Sequence, residues 1–423
     1  MTSGQAAIPV DPAIDSTRPF FKEGYNFIGN RCRSFGSDIF RTRIMLRGVT
    51  CIAGEEAARR FYDGRHFTRV GAMPQMTLRL LQDKGSVQLL DGAAHQARKA
   101  MFLEMMAPEA GAAMGVAVER RWQELFKANR RETQINLHDA VQAILCAAAC
   151  DWAGIPLSAA ERPKRTREFA AMIDGAGSMG PRNWKGLLLR RRTERWARGI
   201  VDRLRNGGLA ELPDSPATRI ASFRDKQGGL LDRRTAGVEI LNLVRPTVAV
   251  ARFVVFAALA LHEHPAWRER LRWSGTAEAL SFVQEVRRFY PFFPVIGGRV
   301  REPFEWRSHP FRTGDWVLLG LHATNHDPRL WPEPERFEPD RFSGWKGSGY
   351  DLVPQGAGEH ARDHRCPGEW LTIEIMLCAT RLLAGMEYEV PEQDLTVPLD
   401  RFPTLPRSGF VVENVRMAAT LVE

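Results

Sequence analysis

The stretch that most restricts this chain is a glycine-rich loop that leads into one cysteine and then into an apolar helix. The loop covers residues 355–368 and contains Cys366, and residues 370–383 form the apolar run. Glycines let a backbone pass close to a flat, bulky group, and the positive end of a helix favours a thiolate. Cys366 has no CxxC partner, so a zinc or iron–sulfur site would lack ligands.

Cationic side chains surround this cysteine. Arg362, His364 and Arg365 all lie within four residues of Cys366. A lone thiolate with cationic neighbours suits haem iron, because the haem propionates need cations. A buried, inert cysteine, which is the commoner fate of this residue type, fits the loop equally well. The loop alone does not distinguish a haem ligand from an inert cysteine, so the remaining sequence has to be considered.

The second informative stretch is an apolar run at residues 236–264, which predicts one long helix. Arg245 and Pro246 stand in its middle. The proline removes a backbone donor and kinks the helix. A guanidinium cannot lose its proton, so it must find an anion or reach solvent. The nearest acidic residues are Glu239 and Glu263, and an unpaired buried charge costs about 3–5 kcal/mol.

Arg245 is therefore interpreted as the binding group for an anionic ligand, most simply a carboxylate held by two parallel hydrogen bonds. A salt bridge to a distant acidic residue, or a surface position, is the alternative.

Two further polar groups precede a predicted helix near residue 94. Gln88 lies between apolar neighbours in the turn-rich stretch 85–92. His95 and Lys99 are four residues apart, so they share one helix face. Such a pair can hold a carboxylate-bearing cofactor, although a solvated helix face explains the same spacing.

An ExxR pair precedes a proline-rich meander. Glu285 and Arg288 are three residues apart and can pair on a helix, but such pairs are frequent on helix surfaces. The prolines of residues 322–342 deny this segment regular structure, so side-chain pairing must hold it. Arg341, near its end, is a candidate partner for the Glu285–Arg288 pair.

Composition excludes several classes of protein. The chain has 423 residues, of which 44% are hydrophobic and 26% charged, as in ordinary globular proteins. The net charge of +9 is interpreted as spread along the chain, which gives no argument for nucleic acid. Six cysteines in so long a chain do not form a disulfide framework.

The expected location is cytoplasmic. Residues 1–18 are predicted to be a flexible leader without a signal-peptide pattern, and no run of about 20 uncharged apolar residues predicts a membrane span. The helical, basic stretch 160–208 is interpreted as a solvent-facing surface, with a membrane or partner surface as the alternative.

The order of these motifs resembles the haem-thiolate monooxygenases, the cytochrome P450 superfamily. The ExxR pair at Glu285 and Arg288 is followed by Pro-Asp-Arg-Phe at 339–342 and then by the cysteine loop. The resemblance covers about residues 25–412. It implies a mainly α fold with small β-sheets, a triangular helical prism with haem b between the long central helix and the helix after the cysteine. Residues 19–423 would form this single domain.

One departure points to a particular branch. The superfamily usually has an acid–alcohol pair in the central helix, which delivers protons to iron-bound oxygen, whereas this chain has Arg245, Pro246 and Thr247 there. Together with residues 85–88 and 364–370, this resembles the bacterial fatty-acid peroxygenases. Those enzymes use hydrogen peroxide directly to hydroxylate long-chain fatty acids at the α or β carbon, and some members decarboxylate them to terminal alkenes.

The resemblance implies roles for individual residues. Cys366 would be the thiolate ligand of iron, and Arg245 would hold the substrate carboxylate, with Pro246 shaping the kink above the haem. Gln88 would face the first carbons of the substrate. The residues expected at the haem propionates are His95, Lys99, Arg299 and His364. A structural, non-catalytic triad is expected from Glu285, Arg288 and Arg341. The loop departs from the superfamily at Asp363, where glycine is common.

These roles imply a reaction. The fatty-acid carboxylate held by Arg245 would act as the acid–base group for hydrogen peroxide, so no obligatory redox partner is expected. Phe292 and Phe293 would narrow the pocket and favour hydroxylation at the α carbon over the β carbon. Gln88, a neutral amide, argues against decarboxylation.

Two rival functions remain open. One is an ordinary monooxygenase that receives electrons from a reductase. The other is a haem or lipid sensor without catalytic turnover.

Overall fold

The computed structural model describes residues 8–81, 85–129, 133–207 and 213–417, and it is mainly helical with three small sheets. The helices are α1 Thr17–Glu23, α2 Phe27–Phe35, α3 Glu55–Phe61, α4 Gln75–Leu81, α5 Gly92–Met105, α6 Pro108–Ala128, α7 Leu137–Trp152, α8 Arg162–Gly175, α9 Pro181–Asn206, α10 Pro216–Ser222, α11 Arg233–Ala249, α12 Ala251–Glu263, α13 Pro265–Trp273, α14 Thr276–Phe289, α15 Leu321–Asn325 and α16 Glu369–Gly385. The strands are β1 Ile39–Ile44, β2 Arg47–Ile52, β3 Phe67–Thr68, β4 Gln134–Asn136, β5 Val295–Val300, β6 Phe304–Trp306, β7 His309–Phe311, β8 Trp316–Gly320, β9 Glu387–Glu389 and β10 Val411–Arg416.

The largest sheet has five strands in the order β1-β2-β8-β5-β3. Strand β2 runs parallel to β8, and the other neighbours are antiparallel. A three-stranded sheet has the order β4-β10-β9, and β6 and β7 form a hairpin. The sheets lie beside the helices, and two buried clusters on the five-stranded sheet are separate from the main helical core.

Helices α11 and α12 form the centre of the helical core, and they follow each other with only Val250 between them. The predicted long apolar helix is therefore confirmed. In the described residues, the run Arg233–Glu263 is long and apolar enough to cross a membrane, as is the bent pair α5–α6 if taken as one span. However, 89% of the most apolar window of Arg233–Glu263 is buried inside the protein, as expected of a core helix.

The N-terminal segment contacts the five-stranded sheet. Residues 1–7 of the predicted leader lie outside the described residues, and residues 8–18 make specific contacts with the fold. The backbone of Asp11 and Ser16 donates to carbonyls of β1, and Ser16 is fully buried. The Asp11 carboxylate accepts from Arg31 at 2.5 Å and from Ser16 at 3.0 Å. This segment is thus fixed to the edge of the sheet by side-chain pairing that spans distant parts of the sequence.

The ExxR pair holds the proline-rich meander, as its spacing suggested. Glu285 and Arg288 are fully buried and form two parallel hydrogen bonds of 2.7 and 2.8 Å. Arg288 also donates to three backbone carbonyls of the meander, those of Asn325, Pro334 and Arg336. Arg341 completes the cluster at 3.3 Å from Glu285. Because Asn325 Oδ1 accepts from the backbone of Val353 at 2.8 Å, this cluster also fixes the approach to the cysteine loop.

Candidate active site

Arg245 is buried in the central helix without a carboxylate partner. It is 5% exposed, and its guanidinium donates to Asn242 Oδ1 at 2.9 Å and to the Leu80 carbonyl at 3.3 Å. No carboxylate of the described residues lies within 4 Å of it. Burial lowers the pKa of Arg245 to about 9, and Arg190 adds to this effect. The site therefore holds a desolvated cation that an anionic ligand would stabilise.

Glu239, the nearest acidic residue in the sequence, is committed to other partners. Its carboxylate accepts from Arg98 at 2.8 Å, from Asn242 at 2.8 Å and from the backbone of Val87 at 2.9 Å. Burial raises the pKa of Glu239, and these hydrogen bonds oppose the effect. Glu239 thus forms its ion pair with Arg98, and its negative charge does not neutralise Arg245.

Gln88 lies close to this network. It is in a short 3₁₀ turn, and its side-chain oxygen is 3.4 Å from Asn242 Nδ2. The structure therefore brings Gln88 and Arg245 to the two sides of one asparagine.

Pro246 marks an open space beside the central helix. Between Ala236 and Leu261 every residue is buried except Pro246, which is exposed, and Ala249, which is half-buried. A residue in the middle of a core helix is exposed only where a cavity opens next to it.

Phe292 and Phe293 differ in their surroundings. Phe292 stacks on Phe253 of α12, with ring centroids 4.2 Å apart, and its carbonyl accepts from Tyr25 at 3.0 Å. Phe293 is perpendicular to Phe292 and keeps 39% of its surface exposed. Phe292 is thus half-buried against α12, whereas Phe293 has more free surface to offer to a ligand.

The cysteine loop presents Cys366 just before α16. Gly358 has a φ of +98°, and a Cβ there would lie 2.6 Å from Asp363 Oδ2, so only glycine fits. Asp363 itself does not have a positive φ. Its carboxylate instead accepts from the Glu359 backbone at 2.8 Å, which explains how the loop keeps its turn without a glycine at this position.

Burial raises the pKa of the Cys366 thiol to about 11, with a further contribution from Glu369, while the Gly368 backbone, Lys99 and Arg287 oppose it. The expected effect of the helix end on the thiolate is thus outweighed by desolvation in the protein alone. A bound metal ion would deprotonate this thiol on coordination.

A second buried ion cluster supports the loop from behind. Glu369, the first residue of α16, pairs with Arg287 at 2.5 Å and with Arg365 at 2.5 Å. Burial acts to raise its pKa, but the two arginines hold the pKa of Glu369 at about 2. Gln355 also accepts from Arg287 at 3.2 Å, and its amide nitrogen lies 3.9 Å from the Cys366 sulfur. Sequence analysis missed this cluster.

Three of the four predicted propionate-binding residues come together. The rings of His95 and His364 are 4.0 Å apart, and Lys99 Nζ donates to the carbonyls of Asp363 and, at 2.9 Å, of Arg365. Burial lowers the pKa of His95 to about 3 and that of Lys99 to about 8. The cluster therefore contacts the cysteine loop directly, and a carboxylate also faces it, since Asp91 Oδ1 lies 3.8 Å from His364 Nε2.

Arg69 joins this cluster and was missed by sequence analysis. It is 7% exposed, stacks on the rings of Phe61 and Tyr62, and donates to the Gly297 carbonyl at 3.2 Å. Its Nε and the Tyr62 hydroxyl are buried without a hydrogen-bond partner. Its charge acts to lower the pKa of both His95 and His364. No local pattern in the sequence marks Arg69, because it follows a two-residue strand.

The contacts of Arg299 are with other groups, and its predicted place at the propionates stays a prediction. Its guanidinium donates to the carbonyls of Gly71 and Gly314, each at 3.1 Å, and lies over Trp316. Its nearest charged neighbours are Arg47 and Asp315. These hydrogen bonds fix Arg299 to the backbone beside its two neighbouring strands.

These residues fit a haem. No group of three or more His, Cys, Asp or Glu side chains suited to a metal ion occurs in the described parts of the chain. Cys366 would thus act as a single thiolate ligand, which is one of the ways in which proteins hold haem iron. The unpartnered buried donors of Arg69 and Tyr62, next to His95 and Lys99, match acidic groups on such a cofactor.

Comparisons with known proteins agree with this fit. The cytochrome P450 family model matches residues 280–414. Geissoschizine oxidase of Alstonia scholaris is 31% identical over 168 residues, which are 34% of this chain and 32% of that protein. Alstonine synthase of Catharanthus roseus is 33% identical over 26% of this chain and 22% of that protein. The chain thus matches about a third or less of the length of these curated relatives.

Solved structures match over the whole chain. Cytochrome P450EX alpha (CYP152N1) with myristic acid is 39% identical, with a TM-score of 0.93 over 97% of this chain and 100% of that one. Cytochrome P450SP alpha (CYP152B1) with (R)-ibuprophen is 40% identical, with a TM-score of 0.93 over 96% and 100%. A variant of cytochrome P450 OleT with arachidonic acid is 30% identical, with a TM-score of 0.94 over 99% and 100%. The expected mainly α fold with a haem–thiolate cofactor is confirmed, and the chain belongs to the CYP152 family of cytochromes P450, the haem-thiolate fatty-acid peroxygenases.

Proposed function

We propose that this protein uses hydrogen peroxide to hydroxylate long-chain fatty acids, mainly at the α carbon, with the substrate carboxylate bound to Arg245. The observation that carries the proposal is the buried guanidinium of Arg245, which has only neutral hydrogen-bond acceptors among the described residues. A carboxylate is the simplest partner, because it accepts two parallel hydrogen bonds from one guanidinium. Matched structures contain myristic and arachidonic acid, which supports a fatty acid.

The cofactor would be held by residues from three elements. Cys366 would ligate the iron, while His95, Lys99, His364 and Arg69 would surround the propionates. Bound haem would supply the centre at which peroxide is cleaved and a C–H bond is oxidised. The protein would bind the substrate, orient it and provide for proton transfer between the two oxygens of the peroxide.

The central helix offers no proton-transfer group of its own. The Thr247 hydroxyl donates to the Leu243 carbonyl at 2.8 Å, and Glu239 is engaged by three donors. Asn242 and Gln88 are neutral amides. A fatty-acid carboxylate on Arg245 therefore would take the proton from one peroxide oxygen and return it to the other, so the substrate completes the set of catalytic groups.

The same ion pair would decide which carbon reacts. A carboxylate fixed to a rigid guanidinium leaves only the first carbons of the chain near the reacting centre. Phe293, with its free surface, and Gln88 would confine these carbons from two sides. We expect α hydroxylation to exceed β hydroxylation, and we expect little alkene product because Gln88 carries no imidazole that could relay a proton.

Product analysis tests the proposal. Haem-loaded protein should convert myristate to mainly 2-hydroxymyristate with hydrogen peroxide and without a reductase. Arg245→Ala should lose about a hundredfold or more in kcat/KM, because both carboxylate binding and proton transfer depend on this cation, whereas Arg312→Ala, at an exposed arginine, should keep full activity. Turnover that requires a reductase, or full peroxide activity in Arg245→Ala, would overturn it.

A further inference from the structure

The net charge of the chain is concentrated in one pair of helices. Residues 161–206 contain 13 Lys and Arg and five Asp and Glu, so they contribute +8 of the chain's +9. These residues form α8, α9 and the turn between them. The interpretation of the charge as spread along the chain is therefore wrong, because one pair of helices carries nearly all of the net charge.

The solvent side of α9 carries apolar and basic side chains in one stripe. Trp184, Leu188, Arg191 and Arg195 follow each other at helical spacing, and all are exposed. Trp184 is 63% exposed and Leu188 is 55% exposed. The turn before the helix adds Met179, which is 59% exposed. One end of the stripe is thus apolar and the other is cationic.

More cations border the stripe. Lys185 and Arg192 are exposed on the same side of the helix. None of Lys185, Arg191, Arg192 and Arg195 forms an ion pair with a carboxylate in the described ranges. The charges of these basic groups are therefore not neutralised by described carboxylates, and they are available to an external anion. We call these seven residues the α9 face: Met179, Trp184, Lys185, Leu188, Arg191, Arg192 and Arg195.

The opposite side of α9 already satisfies the packing of the helix. A Cβ at Gly186 would lie 2.8 Å from the Ala171 carbonyl of α8, so the two helices cross closely. Arg190 is 3% exposed and donates to the Leu80 carbonyl of α4 at 3.0 Å. Packing thus accounts for the inner side and leaves the exposed tryptophan and leucine unexplained.

We propose that the α9 face docks on the surface of an anionic phospholipid bilayer. Cations near such a surface are attracted to its negative potential, and a helix with Trp and Leu beside Lys and Arg lies in the headgroup region. A nucleic acid would use the cations but not the leucine and methionine. An acidic protein would not require an exposed apolar tip next to four cations. An anionic bilayer would interact with both the apolar and the basic side chains of the α9 face.

The inner side of the same helix lies close to the cation that we assign to the fatty acid. The Leu80 carbonyl that accepts from Arg190 also accepts from Arg245, at 3.0 and 3.3 Å. A single residue of α4 therefore separates α9 from the guanidinium that we assign to the fatty acid. Docking would place this part of the molecule against the phase in which long-chain fatty acids dissolve. The docking itself does not depend on the reaction proposed above.

Vesicle sedimentation tests the docking with haem-loaded, full-length protein. The probes are vesicles of phosphatidylcholine alone and vesicles of equal parts phosphatidylcholine and phosphatidylglycerol. We expect binding to the anionic vesicles to exceed binding to the neutral vesicles by about tenfold or more at low salt, and to weaken at high salt. Both Arg191→Glu/Arg192→Glu and Trp184→Ser/Leu188→Ser should reduce it several-fold.

The matched control reverses two exposed basic residues elsewhere, Arg312→Glu/Lys346→Glu, and should bind as the unmodified protein does. Peroxide turnover of a detergent-dispersed fatty acid should be equal in all variants, since none of these residues contacts the site. Equal binding to both kinds of vesicle would overturn the proposal. An equal loss in the control variant, or binding to nucleic acid without binding to vesicles, would also overturn it.

Discussion

Asn242 presents its side-chain oxygen to Arg245 at 2.9 Å and its nitrogen to Glu239 at 2.8 Å. The amide can satisfy both neighbours in only one orientation, because the carboxylate needs a donor and the guanidinium needs an acceptor. Glu239 is in turn held by Arg98. Arg245, the cation that we propose binds the substrate, is therefore positioned by a chain of side chains that leaves its charge uncompensated.

Asn242→Leu tests this positioning role. The leucine fills similar space but removes the acceptor for Arg245, while the charge of Arg245 remains. We expect KM for myristate to change little and kcat to fall by about 10- to 100-fold, the equivalent of a lost hydrogen bond to a charged group. The fraction of 3-hydroxy acid should rise, because the carboxylate is no longer fixed. Steady-state kinetics with product analysis measures both.

Asn242→Asp is the contrasting variant. A carboxylate at this position would pair with Arg245 and compete with the substrate. We expect KM to rise by about tenfold or more, which Asn242→Leu does not show. If both variants changed KM and kcat alike, Asn242 would have only a structural role.

The sequence predicts the parts of the site that depend on local patterns. Arg245 stands out because a charged residue interrupts an apolar helix, and Cys366 because a glycine loop precedes a helix. The predicted structural triad also forms, since three-residue spacing brings Glu285 and Arg288 together.

The remaining parts of the site could not be predicted from the sequence, because they depend on tertiary contacts. Glu239 is the nearest acidic residue to Arg245 in the sequence. However, its carboxylate forms an ion pair with Arg98, which is 141 residues from Glu239 in the chain. Arg69 and Arg299 look equivalent as isolated arginines near strands. Only the packing of Arg69 on Phe61 and Tyr62 shows that Arg69 joins the histidine cluster.

Arg69→Leu and Arg299→Leu form a matched pair for cofactor retention. Arg69 has an unpartnered buried donor in the histidine cluster, whereas Arg299 donates to carbonyls elsewhere. We expect Arg69→Leu to release haem about 10- to 100-fold faster, because a charged hydrogen bond to a propionate is lost. Arg299→Leu should match the unmodified protein. Transfer of haem to apomyoglobin measures the rate, and equal release by both variants would contradict the assignment.

Arg288→Lys and Arg341→Lys test the anchor of the proline-rich meander. Lysine cannot reproduce the two parallel bonds of Arg288 to Glu285 or its bonds to three carbonyls. We expect Arg288→Lys to destabilise the fold by about 3–5 kcal/mol, as for a broken buried pair, and to yield mostly haem-free protein. Arg341 has a single bond to Glu285, at 3.3 Å, so Arg341→Lys should cost less. Thermal unfolding and the haem-to-protein absorbance ratio measure both effects, and equal losses would contradict this ranking.

Phe293→Ala and Phe292→Ala separate pocket shape from packing. Phe292 stacks on Phe253 at 4.2 Å, whereas Phe293 is 39% exposed. Truncation of the stacked ring should lower the stability by about 1–3 kcal/mol, since the half-buried ring loses contacts, and truncation of Phe293 should leave the melting temperature nearly unchanged. If Phe293 confines the first carbons of the substrate, Phe293→Ala should raise the proportion of 3-hydroxymyristate several-fold at unchanged haem content. An unchanged product ratio in Phe293→Ala would show that regioselectivity is set by Arg245 and its asparagine alone.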